Sequence, residues 1–297
     1  MNTKRENNIL VSIRLMTYNQ SEFIIEALES IDKQITNFIF EVVIGDDFST
    51  DDNLERLNAF EFKNKNIRVH ILKREKGNTY WVKRQELGRL FNFTDIIENC
   101  KGKYIALLDG DDYWTDPLKL QKQVDFLEAN LDYSMCFHEA EIVDSNGKLT
   151  SLFNNEIKHK TYSIKDFTSK NFVATASSIF RNKIEFSKKF NNLPAGDWAL
   201  HMLNAEIGKV YYIPEVMSAY RIHDGGIWSK LNHNEMILKG VEVMKKLDSF
   251  FEYKYHEEFK KGINERLLRL KKNKNKKTIK KKVIGKLKNI LNKYKTD

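Results

Sequence analysis

The stretch that decides the fold is Lys101-Gly-Lys-Tyr-Ile-Ala-Leu-Leu-Asp-Gly-Asp-Asp-Tyr-Trp114. Residues 104–108 are a continuous apolar run, too short for a typical helix and bounded by turn residues. That is the pattern of a strand buried on both faces, as in a parallel sheet covered by helices. Three acids follow within four positions: Asp109, Asp111 and Asp112. In open α/β sheets ligands bind beyond the carboxyl ends of the strands, so a site is expected here. Carboxylates crowded together repel one another and require a cation or a hydrogen-bonding ligand. Asp-X-Asp spacing on a tight turn suits a hard divalent cation with positions left open for phosphate oxygens. The alternative is a set of turn-forming acids that caps the next helix.

Working outward, the flanking segments alternate between strand and helix. Residues 10–15, 40–44 and 67–72 read as further strands, and residues 22–31, 52–62 and 87–100 as helices. Asp116-Pro117 opens another helix, with proline at its favoured first position. The second strand also ends in acids, Gly45-Asp46-Asp47. Strands alternating with helices predict a parallel sheet with helices on both faces. Beyond Tyr133 the pattern is mixed. Short strands are expected at residues 135–137, 177–180, 211–213 and 217–220, and helices at 197–207 and 232–251. No GxxxxGK[ST] or GxGxxG follows the first strand, which counts against a P-loop NTPase or a Rossmann dehydrogenase. The strand runs instead into Met16-Thr17-Tyr18-Asn19, a polar turn able to hold a base or ribose.

Charge separates two parts of the chain. Its 297 residues carry 50 Lys+Arg against 41 Asp+Glu, a formal net charge of +9. Residues 260–297 alone hold sixteen of those bases and two of the acids, so the remainder is mildly acidic. The basicity belongs to the tail, and no nucleic-acid binding is expected of the fold itself. Residues 271–282 contain eight lysines, and a basic amphipathic segment follows. Such a segment reads as a membrane-surface helix for anionic lipid, or as a solvated or oligomerising tail. The polar start and the short apolar run after it predict neither a signal sequence nor a membrane span. The expected location is cytoplasmic, either free or peripheral on the inner face of the cell membrane. Cys100 and Cys136 have no metal or redox spacing, which fits a reducing compartment.

Val11-Ser-Ile-Arg-Leu-Met-Thr-Tyr-Asn-Gln20, Glu41-Val-Val-Ile-Gly-Asp-Asp-Phe-Ser-Thr-Asp51 and the Lys101–Trp114 stretch, in that order, resemble family 2 glycosyltransferases of the GT-A fold. The resemblance spans about residues 9–225. It implies an α/β, Rossmann-like fold with a mostly parallel central sheet, flanking helices and a C-terminal helical extension. It further implies an inverting, metal-dependent enzyme using a nucleotide-diphosphate sugar and Mg or Mn. By this resemblance Thr17 and Tyr18 belong to the base pocket, Asp46 or Asp47 contacts the uracil or ribose, and Asp109 binds the ribose or donor sugar. Asp111 would hold the metal and Asp112 is its neighbour. Ala195-Gly-Asp-Trp198 resembles the family's base motif, with Asp197 as general base. Tyr220-Arg-Ile-His223 resembles a later motif whose histidine completes the metal site.

Without the resemblance, Asp197 also reads as a plain N-cap, and His223 as a surface histidine before a glycine-rich turn. Residues 74–92 offer Asn78, Lys83, Arg84 and Asn92 as donor contacts without choosing between them. The QxxRW motif of processive enzymes is missing, which favours addition of a single sugar to a saccharide or lipid-linked acceptor. A glycosyltransferase domain is expected over residues 1–228, a helical extension over 229–270 and the basic tail over 271–297. The competing readings are a metal-dependent phosphoesterase or nuclease, and a sugar-binding module without catalysis.

Overall fold

The computed structural model describes residues 8–154, 159–226 and 231–274. Four parallel strands form the first half of the sheet: β1 (Ile9–Thr17), β2 (Ile39–Asp46), β3 (Ile67–Ile71) and β4 (Tyr104–Asp109). They lie in the order β3-β2-β1-β4. Alternate side chains of β4 serve opposite faces. Tyr104, Ala106 and Leu108 join Val11, Ile13 and Leu15 beneath α1 (Ile24–Asp32), while Ile105 and Leu107 pack toward α4 (Leu90–Glu98). All five of these β4 residues are fully buried, which is why the segment reads as an unbroken apolar run.

The second half is mixed. A short β9 (Ile179–Arg181) lies antiparallel between β4 and β6 (Tyr133–Val143). β6 in turn runs parallel to β10 (Lys209–Arg221), whose far edge pairs antiparallel with β5 (Tyr113–Trp114). The two strands expected at 211–213 and 217–220 are one strand. Register shifts between Ile213 and Ser218 absorb Pro214, which has no N–H to give to a ladder. Two short strands, β7 (Leu149–Leu152) and β8 (Thr161–Tyr162), pair with β6 and β10.

The helices α2 (Asn53–Ala59) and α5 (Lys119–Ala129) fall where the periodicity places them. A further helix, α3 (Thr79–Leu87), lies within the segment that offered no clear reading. After α6 (Ile164–Phe167) and α7 (Gly196–Ile207) the described residues close with α8 (His233–Phe250) and α9 (His256–Lys274). Val241, Met244 and Leu247 of α8 and Phe259, Ile263 and Leu270 of α9 share one apolar cluster with Ile105 and Leu107. The helical extension therefore builds part of the main core. The basic amphipathic segment lies beyond Lys274, outside the described residues.

Candidate functional site

The two acidic strand ends are built differently. At the end of β2, Asp46 accepts hydrogen bonds from the Ser49 N–H at 2.8 Å, the Ser49 hydroxyl at 2.5 Å and the Asn53 amide at 2.6 Å. It is buried, and it holds the loop that leads into α2. Asp47 pairs with Arg84 of α3, which donates from Nε and Nη2 over 2.7–3.0 Å. The Tyr80 hydroxyl adds a bond at 3.2 Å. Thr17 is buried, its hydroxyl 3.3 Å from Asn53 Oδ1, and Tyr18 beside it is 55% exposed. Of the four candidates in residues 74–92, Arg84 alone reaches the acids. Asn78 caps α3 through the Trp81 N–H, Lys83 is exposed, and Asn92 is buried against the Gly45 carbonyl.

The end of β4 holds charge that the protein does not neutralise. Asp109 receives Arg14 Nη1 at 2.5 Å, from a guanidinium with no solvent exposure. Burial pushes the Asp109 carboxyl up, and Arg14 opposes that shift while Asp111 adds to it. Asp112 is pushed further up by burial and by Asp111 and Asp109, although its Oδ1 accepts the Arg221 N–H at 2.9 Å. Gly110 separates these acids because a Cβ there would lie 2.9 Å from Thr17 Oγ1 and 2.7 Å from Gln20 Oε1. Asp111 meets His223 across 112 residues of sequence, with Oδ2 3.1 Å from Nε2. The histidine ring packs edge-on against Phe23, with ring centroids 4.8 Å apart. Arg221 fixes this corner. Its Nε donates to the Asp111 carbonyl at 3.0 Å, Nη1 to the Ser145 carbonyl at 3.0 Å, and Nη2 to Glu26.

Asp197 opens α7. The residue at the N-cap position is Ala195, which makes no side-chain cap, so Asp197 is not a plain capping residue. It lies in the first turn, where the helix dipole favours an anion. Burial raises its carboxyl above the ordinary 3.8, helped by Asp109 and opposed by the Trp198 N–H and Arg14. The Asn171 amide donates to Asp197 Oδ2 at 2.8 Å. Tyr220 senses the whole group: burial and then Asp112, Asp111, Asp197 and Asp109 push its phenol up. Asp109, Asp111, Asp112 and Asp197 thus converge electrostatically on one ring.

Among the described residues no group of three or more His, Cys, Asp or Glu side chains is arranged to hold a metal ion. The Asp111–His223 pair supplies two donors, a carboxylate oxygen and an imidazole nitrogen. A divalent cation with about six positions would keep the rest for phosphate oxygens and water. The uncompensated repulsion among the neighbouring acids fits a cation there. Sequence reasoning missed Arg14, Asn171, His201 and Arg221. Only Arg14 leaves a visible signal, as a charge inside an otherwise apolar strand.

Glycosyl transferase family 2 is the family whose model matches, over residues 12–186. An uncharacterized protein of Mycobacterium tuberculosis is 34% identical over 218 residues, 73% of this chain and 60% of that protein. The chain thus spans about three fifths of that relative. The E. coli UDP-Glc:alpha-D-GlcNAc-diphosphoundecaprenol beta-1,3-glucosyltransferase WfaP is 26% identical over 242 residues, 79% of this chain and 87% of its own. Among solved structures, S. aureus TarS in complex with UDP aligns with a TM-score of 0.54 at 16% identity, covering 80% of this chain and 64% of that one. The mannosyltransferase PcManGT from Pyrobaculum calidifontis, in complex with GDP-Man and Mn2+, aligns at 0.53 and 13% identity, covering 84% and 66%. At these identities the structures share a fold with the chain, an α/β architecture of the GT-A glycosyltransferase type.

Proposed function

The chain belongs to glycosyl transferase family 2, and from that premise we propose that it moves one sugar from a UDP-sugar to a hydroxyl of a saccharide or lipid-linked acceptor, with inversion. The observation that carries this reading is the convergence of four carboxylates at the ends of β4 and α7, with burial raising the proton affinity of Asp109, Asp112 and Asp197. UDP in the TarS structure and the UDP-Glc donor in the name of WfaP support uridine as the base. The turn at Thr17 and Tyr18 then faces the nucleotide, with Asp47–Arg84 beside it, and Asp109 takes the ribose or donor sugar.

Inversion needs one displacement. Asp197 takes the proton of the acceptor hydroxyl as that oxygen bonds to the anomeric carbon, while the bond to the diphosphate breaks on the opposite face. A carboxylate with a raised pKa is a stronger base than an exposed one, at the cost of a protonated fraction at low pH. Asp111 and His223 would hold Mg or Mn, whose chemistry is Lewis-acid stabilisation of the departing diphosphate. Glycan assembly at the inner face of the cell membrane suits such an acceptor. Among the described residues no helix is long and apolar enough to cross a membrane.

A thermal-shift series with UDP, GDP and CMP, each with and without Mn, tests the donor assignment. A rise in Tm for UDP that needs Mn is expected, since a ligand that binds only the native state stabilises it. No metal-dependent rise with any nucleotide would refute the reading.

A further inference from the structure

Asp197 is not held by its own helix alone. Asn171, in the segment between α6 and β9, donates its amide N–H to Asp197 Oδ2 at 2.8 Å. Its carbonyl oxygen lies 3.1 Å from His201 Nδ1, one turn along α7 from Asp197. An amide can present both ends only one way round. Asn171 must donate to the carboxylate, so its oxygen must accept, and His201 must carry its proton on Nδ1. Burial holds His201 near a pKa of about 3, so the ring is neutral throughout the physiological range and cannot become a competing cation. Both His201 and the Arg14 guanidinium are fully buried.

From this geometry we infer that Asn171 is a positioning residue for the transfer, acting with His201 to fix the Asp197 carboxylate by its Oδ2 and leave Oδ1 to receive the acceptor's proton. The inference rests on the reading of Asp197 as the base. A donor hydrogen bond to a carboxylate also favours its charged form, so the same contact restrains the proton affinity that burial raises. The other charged and titratable groups facing Asp197 are Asp109 and Arg14 from the strands, and Tyr220 from β10. None of them lies on the Asn171 segment, so a change at Asn171 leaves them in place.

The test is the pH profile of kcat/KM in Asn171→Ala, together with UDP binding in the presence of Mn. A fall in kcat of about 10–100-fold is expected. The acidic limb should move to higher pH, and UDP affinity should stay unchanged. His201→Leu removes one of the two groups on the Asn171 oxygen, leaving the Val173 N–H at 3.3 Å, and should move the limb in the same direction by less, which keeps the inference testable if Asn171→Ala does not fold. A limb unmoved in both variants, with activity lowered equally at every pH, would assign the pair a purely structural role and overturn the inference. Asp197→Asn separates the two readings. If it retains full transfer, the base assignment fails; if it is inactive while the limb in Asn171→Ala stays put, only the role of Asn171 fails.

Discussion

Two strand ends in the same sheet carry consecutive acids, and they have opposite fates. After β2, each acid has its partners inside the protein: Ser49 and Asn53 for Asp46, Arg84 and Tyr80 for Asp47. After β4, Asp109 has one guanidinium, Asp112 one main-chain N–H, and Asp111 a histidine able to share a ligand with it. The first pair shapes a loop. The second retains a field strong enough to raise two of its own carboxyls and the phenol of Tyr220. Acidic residues at a strand end are therefore not equivalent: the β2 acids are spent on the protein's own donors, and the β4 acids are the ones proposed above to serve a ligand.

That contrast can be broken by substitution. Asp111→Asn should have the largest effect, removing Mn-dependent UDP binding and with it transfer, in calorimetry and in a radiolabelled-sugar assay. Retained metal-dependent binding would show that the β4 acids are as architectural as the β2 pair. Asp197→Asn should lower kcat by roughly 10²–10⁴-fold and leave UDP binding intact, because it removes a proton acceptor and no donor contact. In the unsubstituted protein, the proposed role of Asp197 as base requires its ionised carboxylate. Rates should therefore fall as pH drops through the raised Asp197 value, sooner than for a carboxyl titrating at 3.8. Loss of UDP binding in this variant would undo the division of roles.

The β2 acids should report mainly in stability. Asp46→Ala strands the buried Asn53 amide and the half-buried donors of Ser49 and should cost about 2–3 kcal/mol in urea unfolding. Asp47→Ala, at a partly exposed ion pair, should cost about 1 kcal/mol. If Asp46→Ala were neutral for folding but abolished UDP binding, the contrast between the two strand ends would collapse.

Much of the first half of the fold was legible because strands buried on both faces leave little room for ambiguity: Tyr104–Leu108 announces itself. β6 was read too short, at residues 135–137, because His138, Glu139 and Glu141 look like the end of a strand. Glu139 is instead held inside the sheet and its edge by the Tyr212 hydroxyl and the Asn154 N–H, and His138 Nδ1 lies 2.8 Å from the Glu139 carbonyl. α3 was hidden because Tyr80 alone of its residues is buried, so no apolar stripe repeats. In the site, the pairing of Asp111 with His223 followed from a motif, whereas the partners of Asp47 and Asp197 did not. Arg84 and Asn171 come from segments 37 and 26 residues away; Arg84 was one of four candidates that the sequence could not separate, and nothing in its local sequence marks Asn171. Partnership across the fold is a property of topology, and topology sorts the acids into the two groups.

The pair α8 and α9 bears on how this protein can be cut. A boundary at residue 228 looks natural, since the recognisable motifs end just before it. Yet Val241, Met244, Phe259 and Ile263 belong to the same buried cluster as Ile105 and Leu107 of β4. Removing those helices would expose their partners in that cluster to water, and the remaining fragment would be prone to aggregate. The smallest piece expected to stay soluble ends after α9.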